Sequence, residues 1–200
     1  MSGPGRIVVL NGAPRSGKSS IARAVMARLP GAWVNIGVDS CMRQTPPELL
    51  PGIGLRPGGE RPDLEPHLPS LYTALYRSIA ETARSGVNVV VDIGHHDFYS
   101  RPLGILPASA RQLQGFSALL VGVRCPVAVN LARRQADSRA GFYSLDPEIA
   151  ARWENAVHEP GIYDLELDTS KLSPEAAADR IAASLADPPF PGAFARLAQG

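Results

Sequence analysis

Lysine is scarce in this chain of 200 residues, whose 20 basic side chains include Lys18 and Lys171 as the only lysines. The formal net charge is only +1 at pH 7, so no charge excess indicates nucleic acid or an anionic membrane as a partner. The two cysteines, Cys41 and Cys125, have neither CxxC nor zinc-type spacing, which argues against a structural metal site and favours free thiols in a reducing cytosol. No run of about 18 apolar residues occurs, so we expect a cytoplasmic protein without a membrane span.

Length and composition predict one folded domain, which we expect to cover residues 1–187. A hydrophobic content of 44% and a charged content of 20% are typical of folded proteins, and 200 residues are enough for a continuous core. Short β-branched runs alternate with helical patterns, which predicts an α/β fold with a five-stranded parallel sheet. The predicted strands span residues 7–10, 33–38, 87–92, 118–123 and 163–168.

Helix signals lie between these strands and after the last one. A further helix is predicted at about residues 126–136, and Ser173 followed by Pro174 predicts the start of the final helix. Apolar residues recur at every fourth position, first at Ile21, Val25 and Leu29 and then at Leu71, Leu75 and Ile79.

Two stretches interrupt this alternation. Residues 43–69 are rich in proline, above all from Pro46 to Pro69, and proline is excluded from helix interiors and central strands. We predict a long loop within the domain, because the helix after it is needed to cover the sheet. Residues 188–200 are predicted to form a tail that packs on the surface or frays.

The segment GAPRSGKS fits the pattern G-x-x-x-x-G-K-[ST] and stands between an apolar strand and an amphipathic helix. Its glycines let backbone N–H groups turn inward toward a phosphate, and the helix after it directs the positive end of its dipole there. An ordinary strand-to-helix turn is the alternative, but the complete motif in this setting favours nucleotide binding. The predicted nucleotide-binding residues are Gly12, Ala13, Pro14, Arg15, Ser16, Gly17, Lys18, Ser19 and Ser20.

Lys18 and Ser19 have separate predicted roles within this motif. The lysine ammonium group is a compact charge on a flexible stem that can follow the β- and γ-phosphates, whereas the flat fork of arginine is bulkier. This difference explains why an arginine-rich chain has a lysine at position 18. The Ser19 hydroxyl is predicted to bind Mg²⁺, so the expected cofactors are ATP and Mg²⁺.

Two aspartates follow predicted strands. Asp39 comes after the second strand, at the sheet edge that holds ligands in open α/β folds, and it is a candidate to deprotonate an attacking hydroxyl or hold Mg²⁺. Its alternative role is a helix or turn cap. Asp92 ends the third strand, where an acid that orients Mg²⁺ and a simple strand-ending turn fit the pattern equally well. Ser40, beside Asp39, is included in the predicted substrate site.

The loop after the third strand contains His95 and His96 in the sequence GHHD. Adjacent side chains usually diverge and no third ligand cluster stands out, so a shared metal is disfavoured. Substrate contact and plain loop surface are the remaining interpretations. We predict both histidines as substrate-binding residues.

Three arginines, Arg133, Arg134 and Arg139, lie along and just beyond the helix that follows the fourth strand. Arginine clusters are mostly solvated faces. In P-loop kinases, however, this part of the chain forms a lid whose guanidinium groups stabilise the transferring phosphoryl group. We predict such a lid at residues 126–142, with Arg133 and Arg139 as catalytic residues.

Four segments occur in an order that resembles a known family: VVLNGAPRSGKSSI, WVNIGVDS, LLVGVRCPVAV with the arginines after it, and VHEPGIYDLELDTS. Together they resemble the chloramphenicol phosphotransferase family, ATP-dependent kinases that phosphorylate an antibiotic hydroxyl. The resemblance implies a three-layer α/β/α P-loop fold like that of adenylate and shikimate kinases. It also implies that Lys18 and Ser19 bind phosphate and Mg²⁺ and that Asp39 is the base.

The same resemblance implies lid roles for Arg133 and Arg139, although Arg139 stands one residue away from the family spacing. It further implies that residues 168–170, with Thr169 among them, contribute to the adenine pocket. The Pro-rich region and GHHD depart from the family pattern.

The predicted activity is phosphoryl transfer from ATP to a hydroxyl group of a small molecule, and the resemblance implies antibiotic inactivation. A nucleoside or a sugar is the alternative acceptor. A nucleotide-dependent switch such as a GTPase is an alternative of a different class, but the N-K-x-D segment that reads guanine is absent. A nucleic acid 5′-kinase would need a basic groove, which the near-neutral charge does not provide. The sequence predicts no particular oligomeric state.

Overall fold

The computed structural model of the protein describes residues 3–49, 61–136 and 144–199. One sheet of five parallel strands has the order β2-β3-β1-β4-β5. The strands are β1 (Ile7–Asn11), β2 (Trp33–Asn35), β3 (Asn88–Ile93), β4 (Ala118–Arg124) and β5 (Leu165–Asp168). The predicted α/β fold with a five-stranded parallel sheet is confirmed.

Helices cover both faces of this sheet. They are α1 (Lys18–Arg28), α2 (Val38–Arg43), α3 (Leu68–Arg84), α4 (Ile105–Gln112), α5 (Val127–Gln135), α6 (Pro147–Val157), α7 (Pro174–Ala186) and α8 (Ala193–Leu197), with short 3-10 turns at Pro47–Leu49 and Glu65–His67. Helices α1 and α7 pack on one face, and α3, α4 and α8 pack on the other. This is the predicted three-layer arrangement.

The central strand β1 shows why the sheet carries apolar runs instead of alternating polar and apolar residues. Ile7 and Val9 pack toward α3, α4 and α8, whereas Val8 and Leu10 pack toward α1 and α7. Successive side chains of a strand point to opposite faces, and here both faces are covered by helices. All four side chains are therefore fully buried.

The second strand is shorter than predicted. It ends at Asn35, and Val38 already begins α2. Between them, Gly37 lies so close to β3 that a Cβ on it would stand 1.9 Å from Asp92 Oδ1. The chain turns here, and Gly37 O accepts a hydrogen bond from Ser40 N at 3.0 Å.

The buried face of α3 also differs in part from the predicted one. Leu75 and Ile79 are buried, but Leu71 is 42% exposed. Leu68, one turn earlier, is buried in its place. The buried face of the helix is centred on the side of Tyr76, Ile79 and Ala83, which places Leu71 at its margin.

The C-terminal segment is not the surface or frayed tail that was predicted. Helix α8 buries Ala193, Phe194 and Leu197 in the core layer beside α4 and β4. Asp164 Oδ1 accepts from the backbone N of Ala193 at 2.6 Å and fixes the start of the helix. These three apolar side chains lie on the same side of the helix, and their burial stabilises even this short helix.

Two regions of functional interest are only partly described by the structure. Residues 50–60 of the Pro-rich region and residues 137–143 of the predicted lid lie outside the described residues. In the three ranges that are described, no helix is both long enough and apolar enough to cross a membrane.

Candidate active site

The loop between β1 and α1, which we call the phosphate loop (residues 12–19), has a backbone that needs both motif glycines. Gly17 has φ 105°, a left-handed conformation that glycine adopts without steric cost. At Gly12 a Cβ would lie 2.4 Å from Val123 O and 2.8 Å from Ser16 Oγ. Arg15 has φ 67°, which is uncommon for a residue with a side chain. The loop is therefore a specialised turn with stored strain, as functional loops often are.

Side chains from distant parts of the chain hold the phosphate loop by its carbonyl groups. Asn130 Nδ2 donates to Pro14 O at 2.8 Å, and Thr169 Oγ1 donates to Ser16 O at 2.7 Å. Because these bonds use carbonyl oxygens, they do not compete with an anion for the N–H groups of the loop.

Lys18 lies folded over the phosphate loop. Its Nζ donates to Gly12 O and to Ala13 O, both at 2.8 Å. Burial lowers the pKa of Lys18 to about 8, and the negative charges of Asp92, Asp39 and Glu154 oppose that shift. A phosphate group brought to this loop would meet an ammonium group that is already desolvated and close at hand.

Ser19 and Asp92 meet at the sheet edge. Ser19 Oγ donates to Asp92 Oδ2 at 2.7 Å, although the two residues are far apart in the chain. Mg²⁺ prefers oxygen ligands and binds through one or two side chains together with water and substrate phosphates. No cluster of three or more His, Cys, Asp or Glu residues suited to a metal occurs within the described residues. A hydroxyl and a carboxylate beside a phosphate loop therefore suit a Mg²⁺ ion that is also bound by water and phosphates. They do not suit a metal ion enclosed by protein ligands alone.

Asp39 lies in the first turn of α2 and is exposed. A carboxylate is favoured at this end of a helix, so the alternative reading of Asp39 as a helix-terminal residue agrees with its position. The negative charges of Asp39 and Asp92 both act to raise the pKa of Lys18. The next residue, Ser40, accepts from Arg43 Nη2 at 3.2 Å through its hydroxyl.

The two histidines of GHHD have different environments. His95 is 1% exposed, and its Nε2 lies 2.6 Å from the Tyr76 hydroxyl. Burial lowers its pKa to about 3, so the ring is neutral at physiological pH. The loop-surface interpretation is therefore wrong for His95, and contact with a substrate would require this ring to become exposed. His96 is partly exposed, and its ring centroid lies 4.6 Å from that of Tyr99 and 5.7 Å from that of Trp153.

The arginines after β4 do not form a solvated face. Arg134 is 3% exposed, and its Nη1 donates to Ser144 O at 2.9 Å. Arg133 donates through Nη1 to Thr169 Oγ1 at 2.9 Å and to Ser16 O at 3.3 Å. Its Nη2 donates to Thr169 O at 2.7 Å, so Arg133 joins the phosphate loop to the segment after β5. Arg139 lies outside the described residues.

Sequence reasoning missed a partly buried polar cluster that includes Asn11, Glu154, His158 and Tyr163. Asn11 Nδ2 donates to Tyr163 Oη at 2.9 Å, and Tyr163 Oη lies 2.7 Å from His158 Nδ1. The only sequence signal was that His158 and Tyr163 fall in the segment VHEPGIYDLELDTS, one of those that resemble the family.

Comparisons with known proteins identify the family and relatives of this chain. The profile of the chloramphenicol phosphotransferase-like protein family matches residues 5–186. Two relatives from two strains of Mycobacterium tuberculosis, each provisionally named an O-phosphotransferase, are 28% identical over 207 residues. Each alignment covers 96% of this chain and 88% of the relative.

Solved structures of low sequence identity share the fold. A Janibacter sugar kinase is 17% identical with a TM-score of 0.62, covering 94% of this chain and 99% of that chain. The tunicamycin resistance protein of Deinococcus radiodurans is 19% identical with a TM-score of 0.61, covering 90% and 95%. APS kinase of Mycobacterium tuberculosis, solved with AMPPNP and APS, is 19% identical with a TM-score of 0.62, covering 93% and 100%.

The sheet order, the phosphate loop and the family match converge on one assignment. The fold is that of the P-loop kinases, and the family profile spans the phosphate loop, Asp39, Asp92 and Thr169. The chain belongs to the chloramphenicol phosphotransferase-like family and is a phosphotransferase of the kinase type.

Proposed function

We propose that the protein transfers the γ-phosphoryl group of ATP to a hydroxyl group of a small molecule in a Mg²⁺-dependent reaction. The observation that carries the proposal is the 2.7 Å hydrogen bond from Ser19 Oγ to Asp92 Oδ2 beside the phosphate loop. It brings a hydroxyl and a carboxylate, the ligand types that P-loop enzymes use for Mg²⁺, to the place where the phosphates would lie.

The nucleotide would be bound by the phosphate loop. Lys18 Nζ, which donates to two carbonyl oxygens of the loop, would donate to the β- and γ-phosphates in their place. Ser19 and Asp92 would hold Mg²⁺ beside the loop, where the ion would supply positive charge to offset that of the phosphates. Thr169, whose hydroxyl donates to Ser16 O of the loop, would contribute to the adenine pocket, as the family resemblance implies.

The transfer step needs a base and cations. We assign the base to Asp39, which accepts the proton of the acceptor hydroxyl as its oxygen attacks the γ-phosphorus in line. Its charge already acts on Lys18, which supports a position close to the phosphates. Arg133 and Arg139 of the lid would stabilise the phosphoryl oxygens, and Arg133 Nη1 lies 3.6 Å from where a Cβ on Gly17 would be.

The acceptor is a small hydroxyl compound, with Ser40 and His96 as the proposed contacts. His95, the third predicted contact, would join them only if its buried ring became exposed. The family name suggests an antibiotic such as chloramphenicol, while the names of structural neighbours add sugars and tunicamycin as compounds to try. We place residues 1–187 in one kinase domain with a lid at 126–142. Helix α8 follows this range and packs on the core of the domain. The net charge of +1 supports an enzyme with neither nucleic acid nor an anionic membrane as partner. The cysteine spacing, which favours free thiols, supports a cytoplasmic location.

A substrate screen tests the proposal. Wild-type protein, ATP and Mg²⁺ are incubated with antibiotics, nucleosides and sugars, and mass spectrometry records the gain of one phosphoryl group. We expect at least one hydroxyl compound to gain the γ-phosphoryl group, and we expect no product when Mg²⁺ is removed by chelation. ATP binding without phosphorylation of any hydroxyl compound would instead support a nucleotide-dependent switch.

A further inference from the structure

The polar cluster around Asn11 connects parts of the site that the proposed steps do not use directly. Asn11 is the last residue of β1 and is 1% exposed. Its Nδ2 donates to Val157 O at 2.7 Å and to Tyr163 Oη at 2.9 Å, and its Oδ1 accepts from the backbone N of His95 at 2.7 Å. One amide group therefore joins β1 to the loop after β3, to the end of α6 and to the segment before β5.

Tyr163 sets the direction of the hydrogen bonds in this cluster. Burial raises the pKa of Tyr163 to about 12, so its hydroxyl keeps the proton at neutral pH. Oη accepts from Asn11, and its own proton points to His158 Nδ1 at 2.7 Å more favourably than to Val157 O at 3.3 Å. On the other edge of the ring, His158 Nε2 lies 3.3 Å from Glu154 Oε1.

The cluster is adjacent to both groups proposed to hold Mg²⁺. Asn11 immediately precedes the phosphate loop, and His95 follows Asp92 by three residues. Gly12 N donates to Ile93 O at 3.2 Å, and a Cβ on Gly94 would lie 3.1 Å from Gly12 O. The backbones of the two loops therefore touch where the Asn11 side chain bonds to His95.

Resting on the proposed magnesium role of Ser19 and Asp92, we propose that Asn11 and Tyr163 are positioning residues for that pair. Tyr163 orients the Asn11 amide, and the Asn11 carbonyl oxygen fixes the backbone N of His95. These bonds hold the loop after Asp92 in register with the phosphate loop. Losing them lets Asp92 shift relative to Ser19, while every group that touches the nucleotide remains in the protein.

Tyr163→Phe is the sharpest test, because it removes one hydroxyl and keeps the ring that packs on β4. We expect the affinity for ATP without metal to stay within about twofold of wild type in a calorimetric titration. The increase in affinity on adding Mg²⁺ should fall about tenfold, the size of effect seen when a group that orients a metal ligand is removed. The His95 amide should also exchange its hydrogen faster, as measured by mass spectrometry.

Asn11→Ala and Asn88→Ala form a matched pair. Asn88 stands at the opposite end of β3, where its Oδ1 accepts from Arg6 N at 2.8 Å. Asn11→Ala should reduce the increase in ATP affinity on adding Mg²⁺ as much as Tyr163→Phe does. Asn88→Ala should keep that increase at the wild-type value, even if its melting temperature falls. If Asn11→Ala does not fold, Tyr163→Phe and Asn88→Ala still make the comparison.

The proposal is overturned if Tyr163→Phe lowers only the melting temperature and leaves the Mg²⁺ effect and His95 exchange at wild-type values. A wild-type protein that binds ATP equally with and without Mg²⁺ would be a different failure, because it would remove the proposed function on which the positioning role depends.

Discussion

The proposed nucleotide side and the proposed acceptor side of the site differ in how their side chains are held in place. On the nucleotide side, directional hydrogen bonds from Asn130 in α5 and from Thr169 after β5 reach the phosphate loop. On the acceptor side, the buried His95 is hydrogen-bonded to Tyr76, whereas the more exposed His96 packs against the rings of Tyr99 and Trp153. The triphosphate is the same group in every reaction, so fixed hydrogen bonds can match it, whereas acceptors differ and packing contacts adapt to them more easily. The comparison indicates where substitutions should abolish function and where they should alter specificity.

The largest expected effect comes from removing the cation on the nucleotide side. Lys18→Ala should lower kcat/KM about a thousandfold and weaken ATP binding, because the buried ammonium group has no substitute in the loop. Lys18→Arg should retain most of this defect, since the flat guanidinium group cannot occupy the same space. Calorimetry with ATP and steady-state kinetics measure both effects. Arg180→Ala, on an exposed position of α7, is the control for loss of a positive charge.

The next effect tests the acceptor side. Asp39→Asn should lower kcat about a hundredfold, because an amide cannot accept the proton of the hydroxyl. ATP affinity should change little, since Asp39 is not part of the phosphate loop. Asp187→Asn, at the exposed end of α7, serves as the matched control. Near-wild-type turnover by Asp39→Asn would show that another group is the base.

A smaller effect tests the boundary between the two sides. Gly37→Ala places a methyl group 1.9 Å from Asp92 Oδ1, so the carboxylate that Ser19 bonds to must shift from its present position. We expect about a tenfold loss of the Mg²⁺ effect on ATP binding, with metal-free ATP binding retained. Gly3→Ala, where no atom lies within 4 Å of the added Cβ, is the control. An unchanged Mg²⁺ effect in Gly37→Ala would mean that Asp92 is not a metal-binding group.

The smallest effect should come from an ion pair remote from both sides. Asp179→Ala removes the bond to Arg28 that connects α1 and α7, but the two side chains are 44% and 61% exposed. Water screens such pairs, so chemical denaturation should show a change below about 1 kcal/mol and kinetics should not change. A larger loss of stability would show that the α1–α7 contact depends on this pair more than on its apolar packing.

The sequence predicted the features that short segments determine. The strand pattern located all five strands, and the phosphate-loop motif located the turn between β1 and α1 without any knowledge of the fold. Ser173 caps α7 as predicted, because its side chain accepts from Ala176 N at 3.2 Å, an interaction within four residues. Local chemistry was sufficient in each of these cases.

Features that depend on long-range contacts could not be predicted in the same way. Asn11 meets Val157 and Tyr163 across about three-quarters of the chain, and neither partner is suggested by its local pattern. Helix α8 was mistaken for a tail because its apolar residues follow a proline-rich stretch, and only the sheet provides the surface on which they pack. The end of β2 was placed too late because the need for Gly37 arises from Asp92 on another strand.

The central claim is that the phosphate loop, Ser19 and Asp92 together bind ATP with Mg²⁺. The most direct measurement is a calorimetric titration of ATP into wild-type protein and into Asp92→Asn, each with and without Mg²⁺. We predict that Mg²⁺ tightens ATP binding to the wild type and loses most of this effect in Asp92→Asn, while metal-free ATP binding is similar in both proteins. Failure of the wild type to bind ATP, or an equal Mg²⁺ effect in both proteins, would contradict the claim.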